Sequence, residues 1–407
     1  MSNQKAAITR VPGFRAVGVA CGLKESGKPD LALILSKAPC AAAAVFTKNQ
    51  FKAAPLIYDL ALLERSGGRL QGVVINAGNA NAVTGAQGER DAEAMARQTE
   101  SVCNLPPDAV FVMSTGVIGA KMPMQKIERG IQLAAEAIQT KAGQQGDQAA
   151  QAILTTDLVT KEAFVQTTIG GKTVSIGGMA KGSGMIHPDM ATMLSLIVTD
   201  AAIAPDTLRV ALQQAVALSF NRITVDGDTS TNDTVLLMAS GRAGHPPLEA
   251  GQTADFERFL AALTELCTAL AKAVVRDGEG ATKLVEIKIC GAASRAEAER
   301  AAKTVATSPL MKTALFGNDP NWGRALAAIG RSGAHVDPRR VSLQLGQFQL
   351  VAQGEPVDFE AATVAQWLSQ SDEVKLEANL GVGQAEATVW TCDLSYKYVE
   401  INAEYHT

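Results

Sequence analysis

Two rhythms of apolar positions run along the chain and predict its elements. Leu31–Leu35, Ala43–Phe46 and Val73–Asn76 are short apolar runs bounded by Gly, Pro or polar residues, as strands are. Gly88–Val102 has acidic residues in its first turn and predicts a helix. Ala109–Ser114 predicts a buried strand ending at Thr115-Gly116, and Ile127–Ala142 another helix. Ala163–Ile176 predicts a hairpin, with Gly170-Gly171 supplying the positive φ angles of its turn. A glycine-rich loop, Gly177–Pro188, is expected next, then a strand Thr192–Thr199, a helix Asp206–Phe220 and a strand Thr234–Ala239. In Asp255–Val275 the residues Phe256, Phe259, Leu260, Leu263, Leu266, Leu270 and Val274 recur at three- and four-residue spacing and give one buried face, which predicts the longest helix.

The last third changes rhythm. Val285, Ile287 and Ile289 alternate with Glu286 and Lys288, so one face of that strand is wet. Ser294 and Glu297 form a capping box. A helix near Asn321, strands paired around Gly346, a helix Phe359–Leu368 and two strands around Gly381–Gln384 complete an α+β unit. The expected division is a main α/β domain over 1–282, a smaller α+β domain over 283–395 and a tail over 396–407.

Composition narrows the class. A chain of 407 residues can bury a large core without disulfide or metal staples. With 47% hydrophobic but only 4% aromatic residues, that core is built from Ala, Val, Leu and Ile. A net charge of −4 excludes the basic excess of a nucleic-acid binder, and the apolar content excludes disorder. No apolar run is long enough to span a bilayer, and Met1–Arg10 lacks a signal-peptide core, so a cytoplasmic protein is expected. The six cysteines are dispersed with no CxxC pair, and the four histidines have no metal-ligand spacing; reduced thiols and no metal are expected.

The chemistry-bearing stretch is Lys181–Asp200. Its Lys181-Gly182-Ser183-Gly184 loop precedes a strand, whereas a phosphate cradle needs helix amides behind it. Thr192 admits two readings. It is a β-branched residue that merely starts a strand, or it is a nucleophile released by self-cleavage after the small Ala191. In the second reading the new α-amine, with a pKa of about 7.7–8, serves as base for the threonine's own hydroxyl. Thr115-Gly116 is either a strand-ending turn or an oxyanion hole made of a hydroxyl and a backbone N–H. Asn221–Thr234 is either a solvated loop or, in part, a cleft lining. Phe316–Arg324 is either a binding loop or a helix start capped by Asn318 or Asp319.

Taken together, MSTGVIG (Met113–Gly119), AKGSGMIHPDMATML (Ala180–Leu194), NRITVDGDTSTNDT, RDGEGATK, FGNDPNWGR and YVEINAEYHT (Tyr398–Thr407) resemble the ornithine acetyltransferase family, also called glutamate N-acetyltransferase, of arginine biosynthesis. The resemblance implies an acyltransferase on an α/β (α+β) sandwich, its sheets between helix layers, similar to the DmpA-like fold. It implies cleavage between Ala191 and Thr192, with Thr192 as nucleophile and Thr115 and Gly116 stabilising the oxyanion. Thr155, Lys181, Thr192, Glu279, Asn402 and Thr407 would contact the substrate. The substrates implied are N-acetylornithine and glutamate, with acetyl-CoA as a possible further donor and no bound cofactor. The two cleavage products would stay together and pair into a heterotetramer. Two rivals stand beside this: a self-processing amidohydrolase or aminopeptidase, and a non-catalytic metabolite-binding protein.

Overall fold

The computed structural model describes residues 5–140, 143–144, 146–187, 193–249, 251 and 253–404. The first sheet holds β1 (Phe14–Val19), β2 (Leu31–Phe46), β3 (Arg69–Asn79), β4 (Val110–Val117), β5 (Lys161–Ile169), β6 (Lys172–Lys181), β7 (Leu194–Thr199) and β8 (Thr234–Ala239). Its helices are α1 (Ala54–Arg65), α2 (Gly85–Cys103), α3 (Met124–Ile138), α4 (Gly146–Ala152), α5 (Pro205–Leu218) and α6 (Ala254–Arg276). The strand order is β4-β3-β2-β8-β7-β6-β5, with β1 paired to β2.

Alternation along the central strands decides the layers. Leu196, Val198, Leu236 and Met238 face the core built with α1–α4. Ile197, Val235, Leu237 and Ala239 face the opposite core, built with α5 and α6. Both faces are thus dry, and each such side chain stabilises by roughly 1.5–3 kcal/mol on burial. Aliphatic residues dominate both cores, as the aromatic-poor composition requires.

The second sheet is built from residues 284–392. Its strands are β9 (Leu284–Ala292), β10 (Ser342–Leu345), β11 (Phe348–Ala352), β12 (Glu355–Pro356), β13 (Glu373–Asn379) and β14 (Ala385–Cys392), in the order β12-β11-β10-β13-β9-β14. Around it run α7 (Arg295–Ala306), α8 (Pro309–Phe316), α9 (Trp322–Gly330), α10 (Ala361–Ser369) and, after the last strand, α11 (Tyr396–Glu404). Leu284, Trp390 and Cys392 pack into the same core as α6, so apolar contact runs across position 282. The architecture is a mixed α/β sandwich. Among the described residues no helix is long and apolar enough to cross a membrane.

Several local expectations change. The two apolar runs Leu31–Leu35 and Ala43–Phe46 are one strand of 16 residues. Pro39 sits in an exposed register break between Leu35 and Cys40, where the ladder needs no N–H from it. The expected loop from Gly177 is still strand as far as Lys181. Its glycines serve close packing: a Cβ at Gly177 would lie 2.2 Å from the Ala7 carbonyl oxygen, and one at Gly178 2.9 Å from Leu270. The capping box is half made: Ser294 Oγ accepts from Glu297 N at 3.2 Å, but the Glu297 carboxylate accepts from His335 N at 2.8 Å instead. The expected termini at Ala142, Pro188 and Thr192 lie outside the described residues.

Candidate active site

The ends of β4 and β6, the start of β7, the turn before β8 and the loop after α6 meet at one cleft, with α11 at its edge. Lys181, the last residue of β6, organises its floor. Its Nζ donates to Thr115 Oγ1 at 3.1 Å and to Thr155 Oγ1 at 2.8 Å. The Thr115 hydroxyl accepts there, so its own proton is available to another acceptor. Burial pushes the Lys181 pKa below its ordinary value, while Asp157, Asp233 and Glu279 pull it back up.

The strand end beside Thr115 requires glycine. Gly116 has φ +132°, and a Cβ on it would lie 2.3 Å from the Gly78 carbonyl carbon and 2.5 Å from Asn79 N. Asn232 ties this corner down by donating from Nδ2 to Ala80 O at 2.6 Å and Ser114 O at 2.7 Å. The hydroxyl of Thr115 and the backbone of Gly116 are therefore held in one fixed corner of the cleft.

Beneath Lys181 lies a buried ion cluster. Lys161 Nζ is 2.6 Å from both Asp157 Oδ1 and Asp277 Oδ2. Asp157 also accepts from Gly182 N at 2.7 Å and Thr155 N at 3.0 Å, the residues that flank and contact Lys181. Burial raises the Asp157 pKa, but Lys161 and Lys181 outweigh it and hold the carboxyl below its usual range. Removing one partner of such a cluster strands a buried charge, at about 3–5 kcal/mol.

Glu279 and Asp233 are two of the four carboxylates that line the cleft, with Asp226 and Asp228. Glu279 Oε2 accepts from Asn402 Nδ2 at 2.8 Å, which fastens α11 to the site. A Cβ at Gly184 would lie 2.4 Å from that same oxygen, so only glycine lets the loop approach Glu279. Asp233 is 2% exposed and its Oδ2 has no hydrogen-bond partner. Burial drives its pKa well above the ordinary carboxyl value, against the pull of Ser230 and Lys181.

Thr115, Gly116, Thr155, Lys181, Glu279 and Asn402 all line this one cleft. Ala191, Thr192 and Thr407 lie outside the described residues. Met193, the next residue after Thr192, also lines the cleft, and its carbonyl accepts from Thr234 N at 2.9 Å. Part of the polar run before β8 lines it too: Asp226, Asp228 and 230–233. FGNDPNWGR does not line it; Asn321, not Asn318 or Asp319, caps α9 by accepting from Arg324 N at 3.1 Å. Sequence reasoning did not single out Asp157 or Tyr398, and reached Asp233 only as part of the polar run Asn221–Thr234. The crowding of short polar residues just before β8 was the one available signal for Asp233. Among the described residues no three His, Cys, Asp or Glu side chains gather to hold a metal.

A family model, that of the ArgJ family, matches residues 15–407. The arginine biosynthesis bifunctional protein ArgJ of Symbiobacterium thermophilum is 50% identical over 402 residues, covering 98% of both chains. The protein of the same name from Gloeobacter violaceus is 48% identical, again over 98% of both. The crystal structure of arginine biosynthesis bifunctional protein argJ from Bacillus halodurans is 44% identical, with a TM-score of 0.50, over 52% of this chain and 98% of that one. Fold, cleft and relatives together define an acyltransferase on an α/β sandwich. The chain belongs to the ArgJ family.

Proposed function

We propose that this enzyme transfers the acetyl group of N2-acetyl-L-ornithine to L-glutamate, in arginine biosynthesis, through an ester on Thr192. The chain first cuts itself between Ala191 and Thr192. The freed α-amine then takes the proton of the Thr192 hydroxyl as that oxygen bonds to the acetyl carbon. Thr115, whose hydroxyl proton is left over by Lys181, and the Gly116 N–H receive the developing oxyanion. The carbon–nitrogen bond breaks, the amine takes the proton back from the enzyme, and ornithine leaves. The amino group of glutamate attacks the ester, and the Thr192 oxygen departs as a hydroxyl. Lys181 spends two of its three N–H groups on Thr115 and Thr155, which leaves one for a substrate carboxylate. Glu279 takes the ammonium, and Asn402 and Thr407 close the site from the tail. Acetyl-CoA serves as a second donor to the same threonine, and no cofactor stays bound. The two products remain together, two of each, in the cytoplasm.

The observation that carries this reading is the bridge from Lys181 to Thr115 and Thr155, in a cleft bounded by Met193. Two relatives named as arginine biosynthesis bifunctional proteins support it. So does a solved relative whose chain spans about half of this one, since a cut after Ala191 divides the chain near its middle. The test uses the Thr192→Ala variant beside the unaltered enzyme. The variant is expected to remain a single chain without activity. The unaltered enzyme is expected to show ping-pong kinetics and an acetyl-enzyme mass. A variant that still splits sinks the cleavage assignment. Labelled acetyl released as free acetate, and not carried by glutamate, makes the enzyme a hydrolase.

A further inference from the structure

Next to the cleft lies a second, basic groove. Its walls are α7, the end of α9 and His187, and it carries Arg300, Lys303 and Arg331 against a single carboxylate, Glu299. That carboxylate is already engaged: its Oε1 lies 3.1 Å from Arg295 Nε and 3.5 Å from Arg222 Nη2. Among the described residues neither Lys303 nor Arg331 has an ion-pair partner, and Arg300 donates only to the Gly333 carbonyl at 3.0 Å. A chain with a net charge of −4 thus concentrates unspent positive charge at one place. The structural alternative is that Lys303 and Arg331 serve the carboxyl ends of α7 and α9. Each such end carries only about half a negative charge, so the cations exceed what the helices require.

The groove and the cleft share a wall. Met185 and Ile186 line the cleft, and the next residue, His187, lines the groove. Thr229 Oγ1 donates to the His187 carbonyl at 2.9 Å, between Asp228 and Ser230 of the cleft lining. A Cβ added at Gly227, in the same turn, would lie 4.0 Å from the methyl of Thr307, which lines the groove. An acetylated amino acid has no phosphates and no use for such a groove. A donor with acetyl at one end and phosphates at the other would occupy both.

We infer that this groove binds the phosphate groups of a nucleotide-bearing acyl thioester, a donor of the coenzyme A type, while its acyl end enters the cleft. This rests on the acyl-transfer reading above and assigns the second donor its binding surface. The chemistry is the same first half-reaction: the Thr192 oxygen bonds to the acetyl carbon, the carbon–sulfur bond breaks, and the thiolate leaves with the proton.

The test uses the Lys303→Ala/Arg331→Ala double variant, whose altered side chains lie at the surface, and two donors. With acetyl-CoA and glutamate, the KM for acetyl-CoA is expected to rise roughly tenfold or more, the loss of a charge-assisted hydrogen bond. With acetylornithine and glutamate, kcat and KM are expected to stay as in the unaltered enzyme. Adenosine 3′,5′-bisphosphate is expected to bind the unaltered protein by calorimetry, to compete with acetyl-CoA and not with acetylornithine, and to lose affinity in the double variant. An unchanged KM for acetyl-CoA, or an equal loss with both donors, overturns the inference. So does the absence of bisphosphate binding to the unaltered protein. Inorganic phosphate binding as tightly as the bisphosphate would mean a free-anion site and would also overturn it. If acetylornithine exchange itself fails, the acyl-transfer reading falls, while bisphosphate calorimetry still decides the groove.

Discussion

Asp233 is a liability to folding placed in the candidate cleft. Its carboxyl is buried, one oxygen has no partner, and its pKa stands well above the ordinary 3.8. A carboxyl whose folded pKa is raised holds its proton more tightly in the folded chain. The stability this brings is complete below about pH 3.8 and is lost as pH rises toward the folded value. At neutral pH the unaltered protein therefore carries a penalty that Asp233→Asn removes. The melting temperature of that variant should exceed that of the unaltered protein at about pH 7, and the gap should close on acidification. Thermal melts across pH check this; a variant less stable at neutral pH would show that Asp233 is held by contacts stronger than those seen. Acetyl transfer should fall in the same variant, because Asp233 lines the cleft together with Lys181. A residue that lowers stability while lining a candidate site is where local sequence rules are expected to fail.

At the scale of elements, α11 stands apart. None of its residues is buried, yet Asn402 reaches Glu279 from it and Tyr398 lines the cleft. Its contribution is to the site and little to the core. A chain ending after Ser395 should keep its melting temperature within a few degrees, since little apolar area is lost, while the KM for acetylornithine rises. A collapse in stability would show that the helix braces the fold. Periodicity made α2, α3, α5, α6 and the hairpin of β5 and β6 legible, because each commits one apolar face to a core. It did not show α11, which has no buried face to write into the pattern. It also misplaced the end of β6, since Gly177 and Gly178 look like loop residues until Ala7 and α6 are seen packed against them. Pro39 had the same effect on β2. Six of the residues carried over from the family resemblance do line one cleft, whereas Asp157 and Lys161, four residues apart outside any helix, follow no local rule that marks them as an ion pair.

Over the whole molecule, the cut expected between Ala191 and Thr192 falls between two strands that pair with each other, β6 and β7. It does not separate two lobes. The first product would hold β1–β6, and the second would hold β7 and β8 together with the entire second sheet. In the strand order, β8 and β7 lie between β2 and β6. The first product alone would thus carry a gap in the middle of its sheet, with unpaired ladder edges on β2 and β6, the first core nearly complete and most of the second missing.

That interleaving has a kinetic consequence. Before the cut, β7 and β8 reach their places by closing loops within one chain, a unimolecular event. After such a cut, a denatured protein would have to bring two separate chains together and thread one pair of strands between the halves of the other's sheet, a step whose rate depends on concentration. Refolding from urea should therefore be independent of dilution for the Thr192→Ala protein and should slow on dilution for the processed one. Equal dilution dependence in both would mean that the strands assemble by some other route. A cut at that place would make folding a joint property of the two pieces, since neither alone would hold every strand of the first sheet.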